Sequence, residues 1–390
     1  LALYIASLAV QMSFSVTLLT VPIYALRLGA SDLLIGIIGA VGGATYAVTA
    51  RVFGAISDRL SRMRLAGLAL SLQTVACLLF TLISVPELLP LARFLQATGS
   101  ALFWPIAEAL VADLTPEGRL DKSLRGYNLG WGIGSIAGPQ VAGVLISLFS
   151  IHVPFYFSAA ACLAMLPLLA SIRTPRQNTA EPPPRGEEQE EGPRAKASRR
   201  MYAALVSGTL YSFNGGLMAT LFPAYATRLG LQPYEIGTLF LLSGLAQTIV
   251  FSQADRIEPR LGLRASLLTG SGIFVLALLA IPFTSSLALY VLSFSGQGVA
   301  SGLLYAVSLS LLLREGGPRH GRATGMWEST LGSGFFAGPL LGGALTSITE
   351  TAPYFLGAAA SAATTALQLR LVGQGEKRQR PSDALGQLAH

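Results

Sequence analysis

Charge is what this sequence has least of. Only 12% of its 390 residues are Asp, Glu, Lys or Arg, about half the share of an ordinary soluble domain. Of the 47 charged residues, 18 crowd into residues 173–200 and 370–390, which leaves too few elsewhere to solvate a water-facing surface. That excludes a soluble enzyme and makes an integral membrane protein the expectation. Cysteine is nearly absent as well. Cys77 and Cys162 both fall in apolar runs, so neither a disulfide framework nor a thiolate metal cluster is supported. The three histidines, His152, His320 and His390, lie in loops or the tail and form no ligand set. No phosphate-cradling glycine loop and no nucleophile elbow occurs, so no catalysis, no ATP-driven transport and no cofactor are expected. A formal charge of +7 could point to nucleic acid, but the basic residues stand singly between apolar runs, which points to membrane topology instead. The chain opens at Leu1 inside such a run, so a trimmed short N-terminus and no cleavable signal peptide are expected.

Long apolar runs, by contrast, are plentiful. A span needs about 20 apolar residues. Reading between charges, Pro and Gly gives spans near 3–26, 33–56, 65–84, 89–113, 125–149 and 153–172. A second set lies near 201–227, 234–253, 263–285, 287–313, 321–347 and 352–372. With six spans in each half, both termini and the middle segment share one side of the membrane. That side receives 23 of the 27 basic residues, among them Arg59, Arg62, Arg119 and Arg256. The bias of Lys and Arg toward the cytoplasm then places both ends and the middle inside the cell. Residues 173–200 are rich in Pro, Glu and Arg and almost free of apolar side chains, so they read as a flexible linker. The expected domains are residues 1–172 and 201–372, with a cytoplasmic tail at 373–390.

The two halves repeat one another. Residues 21–38 and 222–239 match at 8 of 18 positions, with Pro22, Tyr24, Arg27, Gly29 and Gly36 returning as Pro223, Tyr225, Arg228, Gly230 and Gly237. GSIAGPQVAG at 134–143 returns as GFFAGPLLGG at 334–343, and Asp58-Arg59 returns as Asp255-Arg256. A near-constant offset over six spans implies parallel repeats about an axis along the membrane normal, hence two bundles that rock around a central site. The expected fold is an all-α membrane protein of twelve helices in two pseudo-twofold bundles.

At these residues the chain resembles the major facilitator superfamily. Gly54 to Arg62, with Asp58 and Arg59, is similar to the family's G-x-L-A-D-R-x-G-R-K loop, with Ser61 and Met63 departing from it. Arg93-Phe-Leu-Gln96-Ala-Thr-Gly99 is similar to R-x-x-Q-G-x-G in the fourth span. Gly134, Gly138, Pro139 and Gly143 are similar to the fifth-span motif that the family associates with drug/proton antiporters. The resemblance implies alternating access, a cavity lined by the first and fourth spans of each half, and a gating role for Asp58 and Arg59 near the start of the eleventh span. Arg62 and Asp113 could join that gate. Many proton-coupled members carry an acidic residue in the first span; this chain has none there.

Charges inside a membrane are costly, so each requires a reason. In the fourth span Arg93, Gln96, Ser100, Trp104 and Glu108 follow helical spacing in one stripe. Gln297, Ser301 and Tyr305 repeat part of it in the tenth span. Facing stripes would line a central cavity; the alternative is hydrogen bonding between neighbouring helices. Gln11, Asn128, Trp131, Asn214 and Gln247 are further cavity candidates. Arg93 could hold an anionic group, switch a carboxylate or cap backbone carbonyls. Gly134, Gly138, Pro139, Gly334, Gly338 and Pro339 would serve close packing and bending. Glu108 and Glu328 are the candidates for proton coupling, and Arg51 could pair with Glu328 across the halves or with Glu108 within one. The leading expectation is a monomeric secondary transporter of the cell membrane that exports an apolar or amphipathic small molecule against protons. A facilitator or importer of an organic anion or sugar, and a lipid flippase on the same fold, are the alternatives.

Overall fold

The computed structural model describes residues 1–56, 61–116, 118–172, 198–315 and 320–372, with residues 50–56, 121, 255, 315 and 320–325 described by their backbone alone. Among these residues helices are the only regular structure, and twelve of them are long. The first bundle comprises α1 (Ala2–Arg27), α2 (Asp32–Ile56), α3 (Arg62–Leu82), α4 (Leu89–Leu114), α5 (Leu120–Leu148) and α6 (Val153–Ala170). The second comprises α7 (Arg199–Arg228), α8 (Pro233–Ser252), α9 (Ala254–Leu261), α10 (Leu263–Ala280), α11 (Leu287–Glu315), α12 (His320–Leu345) and α13 (Ala352–Leu371). The long helices run from 18 to 30 residues, or roughly 27–45 Å at the rise of an α-helix. Eight are long and apolar enough to cross a membrane on composition alone. The other four, α4, α7, α12 and α13, carry more polar side chains, including Glu108 and Glu328.

One element went unanticipated. α9 is a short helix between the expected eighth and ninth spans, with Ala254, Ile257 and Leu261 on one face. Gly262 turns the chain out of it at φ 81°, and Glu258 bonds Arg314 at the end of α11 at 2.8 Å. It is too short to span, and its charges had marked it as loop.

The repeat is visible atom by atom at one end of the bundles. α1 and α7 close with the same cap. Gly29 and Gly230 take φ of 84° and 86°, and Ala30 N donates to Ala25 O as Leu231 N donates to Ala226 O. Only a residue without Cβ enters that left-handed turn cheaply. We term the end that carries these turns the outer face, and the end near residues 115 and 320, where α4 stops and α12 begins, the inner face.

The bundles meet through α2 against α12, α5 against α8 and α1 against α7. Toward the outer face one apolar core runs through both bundles, joining Val16, Leu19 and Ile38 with Leu217, Leu221 and Phe222. Toward the inner face the first bundle has a separate core of its own, built on Leu3, Val10, Leu70, Phe103 and Leu110. Among the described residues the two bundles thus share a core toward the outer face, while the inner half of the first bundle packs on its own.

Candidate functional site

The outer closure rests on missing side chains. A Cβ placed on Gly36 would lie 2.9 Å from Gly343 Cα, and one on Gly43 would lie 2.7 Å from the Phe335 carbonyl oxygen. On the other seam a Cβ on Gly237 would lie 2.6 Å from Pro139 O, and one on Gly143 would lie 2.9 Å from Tyr234 Cα. Gly134 and Gly138 instead press against α1, and Gly334 and Gly338 against α7. The expected packing role of these glycines thus divides into contacts within each bundle and contacts between bundles. Within a membrane such close approach is itself the driving force, because lipid is as apolar as the side chains it would replace. Arg228 adds a clamp at the rim, donating to both oxygens of Asp32 at 2.8 and 2.6 Å and lying 3.6 Å from Glu350.

On the inner side the two carboxylates of the membrane interior come together. Glu108 sits six residues from the end of α4 and Glu328 eight residues into α12, roughly 9–12 Å from the inner face. Both side chains are exposed, yet they lie within electrostatic reach of one another and of Tyr46 on α2. That combination places both on a solvent-accessible wall between the bundles, a vestibule rather than a sealed pocket. Aromatic rings surround it. Tyr305 packs against Tyr211 at 5.2 Å, Trp327 at 5.4 Å and Phe251 at 5.8 Å between ring centres. On the opposite wall Trp104 meets Tyr127 at 6.1 Å, and Glu108 is within electrostatic reach of Tyr127. Gln247 donates to the Tyr211 hydroxyl at 3.4 Å, and Ser301 is half-buried one turn from Tyr305.

The expected stripe on α4 is graded rather than open along its length. Arg93, Gln96 and Ser100 are buried, Trp104 is half-buried and Glu108 is exposed. Arg93 donates to Gln96 Oε1 at 2.6 Å, Gln96 donates to the Thr17 hydroxyl on α1, and Ser100 accepts from Trp104 Nε1 at 3.2 Å. In this state the first three residues bind α4 to itself and to α1, because polar groups at membrane depth must find partners inside the protein. Asn214 turns to α13, where Nδ2 donates to Ser361 at 3.0 Å. Gln11 bonds Ser15 on its own helix, and buried Gln297 bonds Ser293 likewise. Asn128 and Trp131 are exposed on α5. Arg62 pairs with Asp113 at 2.5 Å across α3 and α4. The side chain of Arg51, and residues Asp58 and Arg59, lie outside the described residues.

Sequence reasoning passed over Tyr46, Tyr127, Tyr211 and Trp327. The repeat could have found three of them. Its offset of 200 pairs Tyr127 with Trp327 as it pairs Asn128 with Glu328, and its offset of 201 pairs Tyr46 with Gln247.

The comparisons agree with this architecture. The sequence profile of the Major Facilitator Superfamily matches residues 3–254 and 204–388, and the chain belongs to that family, whose members are transporters and not enzymes. It is 24% identical over 360 residues to Multidrug resistance protein 1 of Bacillus subtilis (strain 168), covering 90% of each chain. It is 23% identical over 375 residues to the quinolone resistance protein NorA of Staphylococcus aureus (strain COL), covering 94% of this chain and 95% of that one. Among solved structures it superposes on the nucleoside transporter NupG with a TM-score of 0.76 at 14% identity, covering 96% of this chain and 99% of that one. It also superposes on a bacterial homologue of the human lysosomal transporter Spinster, in an inward-facing and occupied conformation, with a TM-score of 0.75 at 15% identity over 95% and 94% of the two chains. The structural likenesses carry the fold alone.

Proposed function

We propose that this secondary transporter exports amphipathic, positively charged small molecules in exchange for protons, by alternating access from a monomer in the cell membrane. The observation that carries the reading is the pair of carboxylates, Glu108 from the first bundle and Glu328 from the second, exposed in one vestibule among Tyr46, Trp104, Tyr211 and Tyr305. Anionic groups beside aromatic faces suit a delocalised cation with apolar flanks. Each carboxylate can take up either a proton or a cation, so a proton and a cationic substrate can compete for the same oxygens. The crowding of basic residues on the inner side supports a cytoplasmic inner face and an exporter that loads from the cell interior. The multidrug names of the Bacillus and Staphylococcus relatives support the same direction.

The organic-anion or sugar alternative rested on Arg93, on Gln96 and on the lack of a carboxylate in the first span. The Arg93 guanidinium is enclosed by Gln96, Phe14 and Gly42 and offers no open face to a substrate of drug size.

The test is flux of a fluorescent lipophilic cation in proteoliposomes, with and without an imposed pH gradient. Transport should require the gradient, and Glu108→Gln and Glu328→Gln should each uncouple it. Flux that ignores the gradient, or that survives both substitutions, overturns the proposal.

A further inference from the structure

Arg93 is a cation buried at membrane depth with no carboxylate partner among the described residues. Its side chain is 6% exposed. Its described partners are the Gln96 amide oxygen at 2.6 Å and the face of Phe14, 5.1 Å from the guanidinium carbon. No ion pair of Arg93 occurs among the described residues. The helix beneath it makes room on purpose: a Cβ on Gly42 would lie 2.6 Å from Arg93 Nε and 3.0 Å from Nη2. A buried charge left without a counter-charge is strongly disfavoured even after relaxation.

Beside that guanidinium is a cavity of about 20 Å³. Leu18, Val21 and Pro22 of α1, Ile35, Ile38 and Gly39 of α2 and Arg93 of α4 form its walls, and Thr220 of α7 reaches in from the other bundle. Its size admits one or two water-sized groups and excludes an organic substrate, which needs hundreds of Å³. A water could hydrogen-bond there, but it would leave the charge uncompensated. The polar features of the cavity are the guanidinium on one side and the Thr220 hydroxyl on the other; both can donate, and the remaining side chains are apolar. That is the donor set of a small anion.

We infer that this cavity binds a small monovalent inorganic anion of the halide class, which supplies the missing counter-charge of Arg93. Because Thr220 belongs to the second bundle and the other walls to the first, the site is complete only while the outer face is closed. Anion binding therefore stabilises the closed outer face, and halide acts as a structural ligand rather than as cargo. The inference is independent of which molecule the vestibule carries.

The experiment uses the purified full chain in lipid nanodiscs, with sodium chloride or bromide replaced by sodium gluconate at constant ionic strength. Thermal unfolding should shift upward with chloride and bromide along a saturable curve, and gluconate should produce no shift. Thr220→Val should weaken the halide midpoint about tenfold, as expected for losing a hydrogen bond to a charged group. Arg93→Gln should abolish the halide dependence while leaving the gluconate value unchanged or higher, since it removes the unpaired charge. Identical unfolding of the unaltered chain in chloride and gluconate would mean that the cavity holds only water, and the inference fails. A halide shift that persists in both variants places the effect elsewhere and overturns it equally. Should Arg93→Gln not fold, the Thr220→Val midpoint decides alone.

Discussion

The two seams between the bundles are related by the repeat, but they are not equivalent. Along α2 and α12 the approach continues from Gly36 and Gly343 at the rim to Gly332, where an added Cβ would lie 2.7 Å from Ala47 Cβ. Along α5 and α8 it relaxes with depth, and an added Cβ on Gly244 would lie 3.3 Å from Ile136. The first seam carries the Arg228–Asp32 clamp, whereas among the described residues the second has the bond from Tyr234 N to Ser147 Oγ at 3.2 Å and no ion pair. Arg27, the repeat mate of Arg228, is exposed; the counterpart of its clamp partner Asp32 is Pro233. Duplication supplied two equal seams, and divergence made one of them the tighter joint.

Substituting the rim glycines should break this difference most severely. Gly343→Leu cannot fit against Gly36, so the outer face should stay open and flux should fall more than tenfold. Labelling of a cysteine introduced at the outer ends of the helices would report that opening. Gly244→Ala, on the relaxed seam, should retain most of the flux, because its added methyl would lie no closer than 3.3 Å to any atom of Ile136. Equal damage from both would show the seams to be alike.

A middle-sized effect is expected from the partners that the two bundles gave to corresponding residues. Gln96 bridges from α4 to α1 and also holds Arg93, while its repeat mate Gln297 donates only to Ser293 on its own helix. Gln96→Ala should cost about 1–3 kcal/mol, the range for leaving a buried polar partner unsatisfied. Gln297→Ala should cost less than about 1 kcal/mol. Parallel thermal melts of the two variants measure the gap, and equal losses would remove the asymmetry.

The smallest change should come from the clamp. Arg228 and Asp32 are 27% and 16% exposed, and partly exposed ion pairs contribute about 0–1 kcal/mol. Arg228→Ala should therefore shift the balance toward an open outer face by no more than about fivefold. The shift should shrink in high salt, which screens such pairs. The same cysteine-labelling rate, measured at low and high ionic strength, tests it.

Much of this was legible in the sequence because it follows from period and offset. Twelve apolar runs, the duplication, the paired Gly-Pro motifs and the two interior carboxylates all appear as spacing along one chain. The direction of a polar side chain does not. Helical spacing put Arg93 and Glu108 on one stripe, but burial is set by depth as well as angle, and the core shared by the bundles covers one while the other stays exposed. Asn214 shows the same limit, since its partner Ser361 lies 147 residues away. The aromatic ring of the vestibule was hidden for a different reason. Tyr and Trp are ordinary members of apolar runs, and the repeat offset singles out Tyr46, Tyr127 and Trp327 but not Tyr211.

The core shared at the outer end also bears on how the chain is made. Ribosomes add about 5–20 residues per second, so the first bundle waits roughly 10–40 s before α7 to α13 are complete. Throughout that interval Gly36, Gly39 and Gly43 form a bare groove along α2 with no helix to fill it. Acyl chains occupy such a groove in a bilayer, and docking of α12 must expel them. A half-synthesised molecule thus exposes to lipid a furrow that the finished one fills with its own helices.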